Sequence, residues 1–432
     1  MSLTFGRPDP TAVGGEPGNS TRSYHGRVIG SASVAMAMTA PGQTAAISVF
    51  VDPLITSLQV SRSSVAMAHA IGSLAGVLVM PLLGRMLDRL GPRRAMAVIG
   101  CCFGGVLLAA GTVTEVVGLT TAFVGIRIGG QGALSLAATT AVAVYVHRRT
   151  GLVMGVVTAI GTSAISLAPL ALEHLIRDLG WRAVWQWEGC AVLALTLPAA
   201  LLVLPRRVRT DAGTAAGVGS TGASRGRPPG TPVRTGAPVP DRTLRNAGRT
   251  SVFWIVIGGA AVCSLITTAL TFHQVSLLGE RGLDVAEAAA NFVPQLLAGL
   301  LASFLVGWSA DYIGDRALVV AVMVLLALTT IGAGWVRPGW SALVYGLALG
   351  ACVGGIRTFK AVAFRGCVGP GRLGVLRGAV HAAVIGASAI GPLVLAVGRG
   401  WSSSYHGTLV ALSLLPALVV LAVCLSRPGH RR

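Results

Sequence analysis

Along the chain, long apolar stretches alternate with short polar connections. Twelve stretches reach about 20 residues, which at 1.5 Å per residue crosses roughly 30 Å of hydrocarbon. They lie at 28–51, 63–83, 94–114, 118–146, 151–173 and 183–204, then at 251–276, 287–307, 316–335, 340–363, 373–397 and 405–425. Within them the apolar residues run continuously, without the alternation of strands lining a barrel. Lipid offers the backbone no hydrogen-bond partners, so each stretch is expected to be a helix. The fourth and tenth are long enough to tilt or to extend past the bilayer. The polar segments divide the chain into a tail (1–27), a six-helix half (28–204), a linker (205–250), a second six-helix half (251–425) and a short tail (426–432). The linker is rich in Gly, Pro, Ser, Thr and Arg and carries nine arginines against Asp211 and Asp241. Such a segment cannot bury a core and is expected to be disordered on the cytoplasmic side.

Composition sharpens this picture. Hydrophobic residues make up 53% of the chain and charged residues 11%, against about 25% charged in an average soluble domain. The net charge of +19 would suggest nucleic acid in a soluble protein, but its placement argues otherwise. Of the 34 basic residues, six (Arg62, Arg177, Arg182, Arg281, Arg337, Arg399) fall in or beside odd-numbered connections and three (Arg127, Arg357, Lys360) inside spans. The rest lie in the tails, the even-numbered connections and their flanking turns. By the positive-inside rule both termini are cytoplasmic, and no nucleic-acid partner is expected. The N-terminal tail lacks the short apolar core of a cleaved signal. The seven cysteines sit in or beside apolar spans with no CxxC pair, so neither metal nor cofactor is expected.

A duplication runs through the chain at one offset. Gly84, Asp88, Gly91 and Arg93 reappear 223 positions later as Gly307, Asp311, Gly314 and Arg316. Leu74-Ala75-Gly76 matches Leu297-Ala298-Gly299, and Thr44, Gly132, Arg149, Gly151, Gly155 and Pro169 match Thr267, Gly355, Arg372, Gly374, Gly378 and Pro392. Two six-helix halves related as a parallel repeat are an arrangement of secondary transporters, with the solute site at the repeat interface.

The loop Gly84-Arg-Met-Leu-Asp88-Arg89-Leu-Gly91-Pro-Arg93-Arg94, its weaker copy at 307–316, the twelve spans and the basic central linker resemble the major facilitator superfamily over about residues 25–430. The first copy fits the family's Gly-x-x-x-Asp-basic-x-Gly-basic-basic loop. In the second, Tyr312 and Asp315 replace basic residues. The resemblance implies an all-α polytopic membrane protein of twelve transmembrane helices in two six-helix pseudo-repeats, working by alternating access. It also implies that Asp88 holds the outward-open state through the start of the eleventh helix (371–374) and Arg148 or Arg149. The loop residues Gly84, Asp88, Arg89, Gly91, Arg93, Arg94, Gly307, Asp311, Gly314 and Arg316 form the expected gate.

Ionisable groups at membrane depth are functional hypotheses by default. Arg127 lies near mid-membrane, before Gly129-Gly130-Gln131-Gly132, a stretch loosely similar to the superfamily's fourth-helix motif. Arg357 and Lys360 lie in the inner third of the tenth span, where Lys360 can snorkel. Asp52 and Glu188 sit near outer span ends. His69, His273 and His381 are candidate titrating groups, with His273 ahead because it ends the seventh span. Gln43, Gln131, Asn291 and Gln295 complete the candidate substrate and proton-coupling set, because a lipid-facing amide is costly. Ser48, Thr44, Thr267 and Thr271 are weaker members. No Walker A, HExxH or Gly-x-Ser-x-Gly sequence occurs, so no enzymatic activity is expected.

Together these readings describe a secondary active transporter of a small solute in the cytoplasmic membrane. Net basic mid-membrane charge favours an organic anion, protons are the expected coupling ion, and a monomer is the expected state. Pro41-Gly42-Gln43-Thr44 and Ser48 to Asp52 resemble the monocarboxylate and oxalate/formate branch. Two alternatives stay open: a drug or secondary-metabolite exporter, against which the absence of Gly-Pro-x-x-Gly-Gly from the fifth span weighs, and a non-transporting receptor or scaffold.

Overall fold

The computed structural model describes residues 19–146, 150–204, 251–309, 312–313, 315–362 and 373–425. The expected disordered linker and both tails lie outside them, apart from the helical residues 19–27. So do Asp311, Gly314, Arg148, Arg149 and Arg372, and the side chains of Lys360 and His381.

Among the described residues, helical elements occupy all twelve expected stretches, several of them interrupted; eight, or nine with one bent pair, are long and apolar enough by themselves to cross a membrane. The first runs through Asn19–Ala37, a 3-10 turn at Ala40–Gly42 and Thr44–Ser48. The chain then bends by 72° into Val51–Leu58. Pro41 cannot donate to the helix ladder, so the crossing breaks there. The second and third crossings share one helical stretch, Arg62–Ala110, folded back at Gly91 with φ 73° and ψ 161°. Only glycine enters that region without strain. The expected 84–94 loop is therefore two helix ends meeting at one glycine. Asp88 stands exposed on the last turn of the second span.

The fourth crossing comprises Val116–Ile126, a π-helical segment Arg127–Leu134 and Ser135–Tyr145. The fifth is Thr150–Leu179. The sixth is Trp181–Pro198, ending in a π turn at Ala199–Val203. In the second half the crossings are Ser251–Phe272; Val285–Ala290 with Phe292–Ser309; Asp315–Gly332; Trp340–Val362; Leu373–Ser402; and His406–Leu425.

Arginines close the ends of these helices. Arg27 donates to the carbonyls of Val203 (3.1 Å) and Leu202 (3.0 Å), and Arg93 to that of Leu201. The C-terminal carbonyls of the sixth span have no partner in their own helix, and cations there also complement the helix dipole. Ser31 donates to Ala199 O at 2.8 Å, covering a carbonyl displaced by the π turn.

Glycines set the closest helix pairs, as is usual where lipid offers no drive to associate. A Cβ on Gly350 would lie 2.1 Å from the Gln295 carbonyl oxygen, and one on Gly354 would lie 2.0 Å from that of Gly299. The eighth and tenth spans thus pack backbone to backbone. In the first half Gly42 and Gly130 bring the first and fourth spans equally close: a Cβ on either would meet the other's Cα at 2.6 Å.

The halves meet where the first span packs on the seventh, the fifth on the eighth, and the 62–110 stretch on the eleventh. One such contact lies toward the end of the molecule that bears the odd-numbered connections. There the His69 ring of the second span faces Phe272 of the seventh with centroids 4.8 Å apart, and both side chains are buried.

A candidate solute site between the two halves

Between this seam and the end bearing the termini lies a cavity of about 270 Å³. Its walls come from the first, fifth, seventh, eighth and tenth spans. Gln43 and Thr44 face Thr267 and Thr271 across it, with Gln295 and Arg357 on the side of the tightly paired eighth and tenth spans. Thr44 and Thr267, related by the 223-residue repeat, both line it. Among the described residues, Arg357 is the one in its lining with a charged side chain. The side chain is exposed there, and no carboxylate among the described residues pairs with it.

Gln295 is held by a chain of amides. Its Nε2 donates to Gln274 Oε1 (2.7 Å) and to Asn291 Oδ1 (3.2 Å). Asn291 Nδ2 donates to Ala342 O at 2.7 Å, and Gln274 Nε2 to Ala288 O at 3.0 Å. A buried network with its partners satisfied orients its members, so Gln295 meets the cavity in a fixed pose. Asn291 supports it from behind. Gln274, which the pattern of the sequence did not single out, is fully buried at the centre of this chain.

Arg127 occupies a different place from the one its depth suggested. It is 2% exposed and does not line the cavity. Its Nε donates to Ser73 Oγ (3.0 Å), and its Nη1 donates to Gly42 O (2.9 Å) and Thr44 Oγ1 (3.3 Å). It thus satisfies a carbonyl left open by the break in the first span, and it ties the first, second and fourth spans together behind Thr44. Gln131, four residues on in the π segment, is half-buried and also outside the lining.

Two further candidates stand apart from the cavity. Asp52 is paired with Arg62 at the odd-connection end. His273 is buried; its Nε2 donates to Pro392 O at 2.9 Å, and its Nδ1 lies 3.3 Å from the Tyr405 hydroxyl. This joins the seventh span to the eleventh and to the connection that follows it. Of the expected gate, Asp88, Arg89 and Arg94 are exposed, Arg93 caps the sixth span, Gly84 is helical and Gly91 makes the turn. Gly307 lies in the eighth span and Arg316 opens the ninth. Thr162, Ser166 and Thr268 complete the polar lining. Single hydroxyl residues in apolar helices carry no mark in sequence that separates cavity-facing ones from those bonded to their own helix.

A family model described as Major Facilitator Superfamily matches residues 32–392. The alpha-ketoglutarate permease of Escherichia coli (strain K12) is 26% identical over 280 residues, 60% of this chain and 59% of that one. The alignment thus spans less than two thirds of that relative. A crystal structure of a bacterial homologue of the human lysosomal transporter Spinster, in an inward-facing and unoccupied conformation, superposes with a TM-score of 0.71 at 15% identity, covering 95% of this chain and 97% of that one. The nucleoside transporter NupG superposes at 0.72 with 11% identity, over 92% and 98% of the two chains. With the fold and the duplicated halves, these matches show a multi-pass membrane protein: the chain belongs to the Major Facilitator Superfamily.

Proposed function

We propose that the solute is a small organic anion, a carboxylate held in the central cavity by Arg357 and oriented by Gln43 and Thr44. The observation that carries this reading is the lining itself, in which, among the described residues, Arg357 is the charged side chain in a ring of neutral polar and apolar groups. A guanidinium matches a carboxylate in two-pronged geometry, and a partly desolvated cation without an acid is a place for an anion rather than for a cation. The permease relative is named for alpha-ketoglutarate, a carboxylate, which is the natural first probe.

Proton coupling belongs to the same proposal, as does placement in the cytoplasmic membrane with the termini inside and the protein working as a monomer. The charge asymmetry supports the orientation. With the termini inside, a seam toward the odd-connection end and a cavity extending to Arg357 describe an inward-facing conformation.

Thermal unfolding of the purified protein tests the reading. A ligand that binds only the folded state raises Tm. Acetate, lactate, oxalate and α-ketoglutarate form the panel, beside a nucleoside, a neutral sugar and an organic cation. Stabilisation by carboxylates that disappears in Arg357→Gln is the expected result. Stabilisation by the cation alone would move the exporter reading to first place.

A further inference from the structure

His69 is a buried imidazole on the seam between the halves that the solute site alone does not explain. It is wholly buried. Its Nε2 lies 3.4 Å from Thr44 Oγ1, and Thr44 lines the cavity. Its Nδ1 is buried with no hydrogen-bond partner. The ring rests on Phe272 of the other half and meets Phe123 edge-on.

The charged and titratable groups that bear on it most directly are basic. Arg127 reaches the same Thr44 hydroxyl from the fourth span, and His273 lies behind Phe272 on the seventh. Toward the odd-connection end of its own helix, Arg62 is paired with Asp52. The eleventh span contributes Arg399, paired with Glu280 at 2.6 Å. Asp52 and Glu280 are thus each engaged by an arginine.

We propose that His69 is the proton-carrying group of this transporter, taking a proton at Nδ1 when the seam opens and passing the proton of Nε2 through the Thr44 hydroxyl to the cavity. The inference rests on the proton-coupled anion reading above and names the residue that does the coupling. Arg127 donates to Thr44 Oγ1, and in the tautomer with Nε2 protonated His69 donates to it as well, which turns the hydroxyl hydrogen toward the cavity and its solute. One proton enters at Nδ1 and one leaves at Nε2, so the ring returns to the neutral form as the other tautomer.

While the extra proton is present, an imidazolium stands beside the Arg127 guanidinium in a desolvated slot. Two adjacent cations without a counter-charge are costly, and they can lower that cost in two ways. The seam can open and admit water, or an anion can occupy the cavity at Thr44. Proton and anion therefore favour each other's binding, and by linkage the effect is reciprocal. A seam that closes only when His69 is neutral or an anion is bound prevents the transporter from turning over with a proton alone.

Two measurements on the full-length protein test this. The first needs no solute. Spin labels at Thr56 and Val285, both exposed and on opposite halves at the odd-connection end, report the seam width after the native cysteines are replaced by serine. The wild-type distance distribution is expected to shift to longer distances between pH 8 and pH 5, and that of His69→Gln to stay unchanged. Gln keeps an amide near the position of Nε2 but does not titrate. An unchanged wild type, or a His69→Gln variant that shifts equally, overturns the proposal.

The second is transport of labelled α-ketoglutarate in proteoliposomes. His69→Gln is expected to retain exchange at zero gradient within about twofold and to lose accumulation driven by a pH gradient. With one proton per anion that accumulation is about tenfold per pH unit, since ~1.4 kcal/mol is a factor of ten. Accumulation as strong as in the wild type overturns the proposal, as does a joint loss of exchange and accumulation. If His69→Gln does not fold, Thr44→Val decides: it leaves the imidazole but removes the relay, and retained gradient-driven accumulation sinks the idea. If the wild type exchanges no carboxylate from the panel, the anion reading falls while the seam measurement still judges His69.

Discussion

Two arginines inside spans do different work, and substitution separates them. Arg357 lies open on the cavity without a carboxylate partner, so Arg357→Gln is expected to reduce carboxylate flux by more than tenfold and to leave Tm within a degree or two. Arg357→Lys keeps the charge but loses the planar fork and should retain part of the flux. Arg127 is closed in by Ser73, Gly42 and Thr44. Arg127→Met leaves the Gly42 carbonyl buried and unpaired, a loss of roughly 1–3 kcal/mol, read as a fall in Tm of the purified protein without any ligand. A flux defect with unchanged Tm in Arg127→Met would contradict this assignment. Depth in the membrane is legible from sequence, and it placed both arginines. Direction is not. Which way Arg127 points depends on a break at Pro41 and a π segment at 127–134, and both arise from packing among three helices distant in sequence. The same holds for His273, whose partners Pro392 and Tyr405 lie more than a hundred residues away. For the amides the outcome was mixed. Gln43 and Gln295 reach the cavity, whereas Asn291 serves Gln295 through a hydrogen bond that the i, i+4 spacing permits.

At the scale of elements, glycine spacing decides which helices touch. Gly354→Ala would drive a methyl group to 2.0 Å from the Gly299 carbonyl, whereas a Cβ on Gly386 meets nothing within 4 Å. Gly354→Ala is therefore expected to abolish recovery of folded protein or to lower Tm by many degrees, and Gly386→Ala to leave Tm unchanged; size-exclusion profiles and thermal unfolding check both. At Gly91 there is space for a side chain, but φ is 73°. Gly91→Ala should cost about 1–3 kcal/mol through backbone strain alone, again as a loss of Tm. The apolar runs made the spans legible, because length and hydrophobicity are local properties. The interruptions were not: the 72° bend after the first span, the single-glycine turn at Gly91 and the two π segments are compromises between a helix and its neighbours. The loop motif illustrates the difference. Its glycine and arginine spacing was visible, but that Arg93 would cap the sixth span is settled by a carbonyl 108 residues away.

At the scale of the molecule, the duplicated sequence becomes a duplicated architecture with a cavity between its copies. Thr44 and Thr267 show the link most directly: equivalent positions in the repeat both line the candidate solute cavity. The seam at His69 and Phe272 and the tight pairing of the eighth and tenth spans divide the labour. On the proposed mechanism the first interface opens during transport, while the second keeps Gln295 and Arg357 on one wall of the cavity. The central claim is that this cavity carries a small carboxylate through Arg357. Its most direct test is uptake of labelled acetate, lactate, oxalate and α-ketoglutarate into proteoliposomes containing the wild type or Arg357→Gln, with and without a proton gradient. Gradient-responsive uptake of at least one carboxylate by the wild type, lost in Arg357→Gln at unchanged Tm, is the result expected here. Carboxylate uptake equal in the two proteins, or uptake of none of them by a folded wild type, would contradict it.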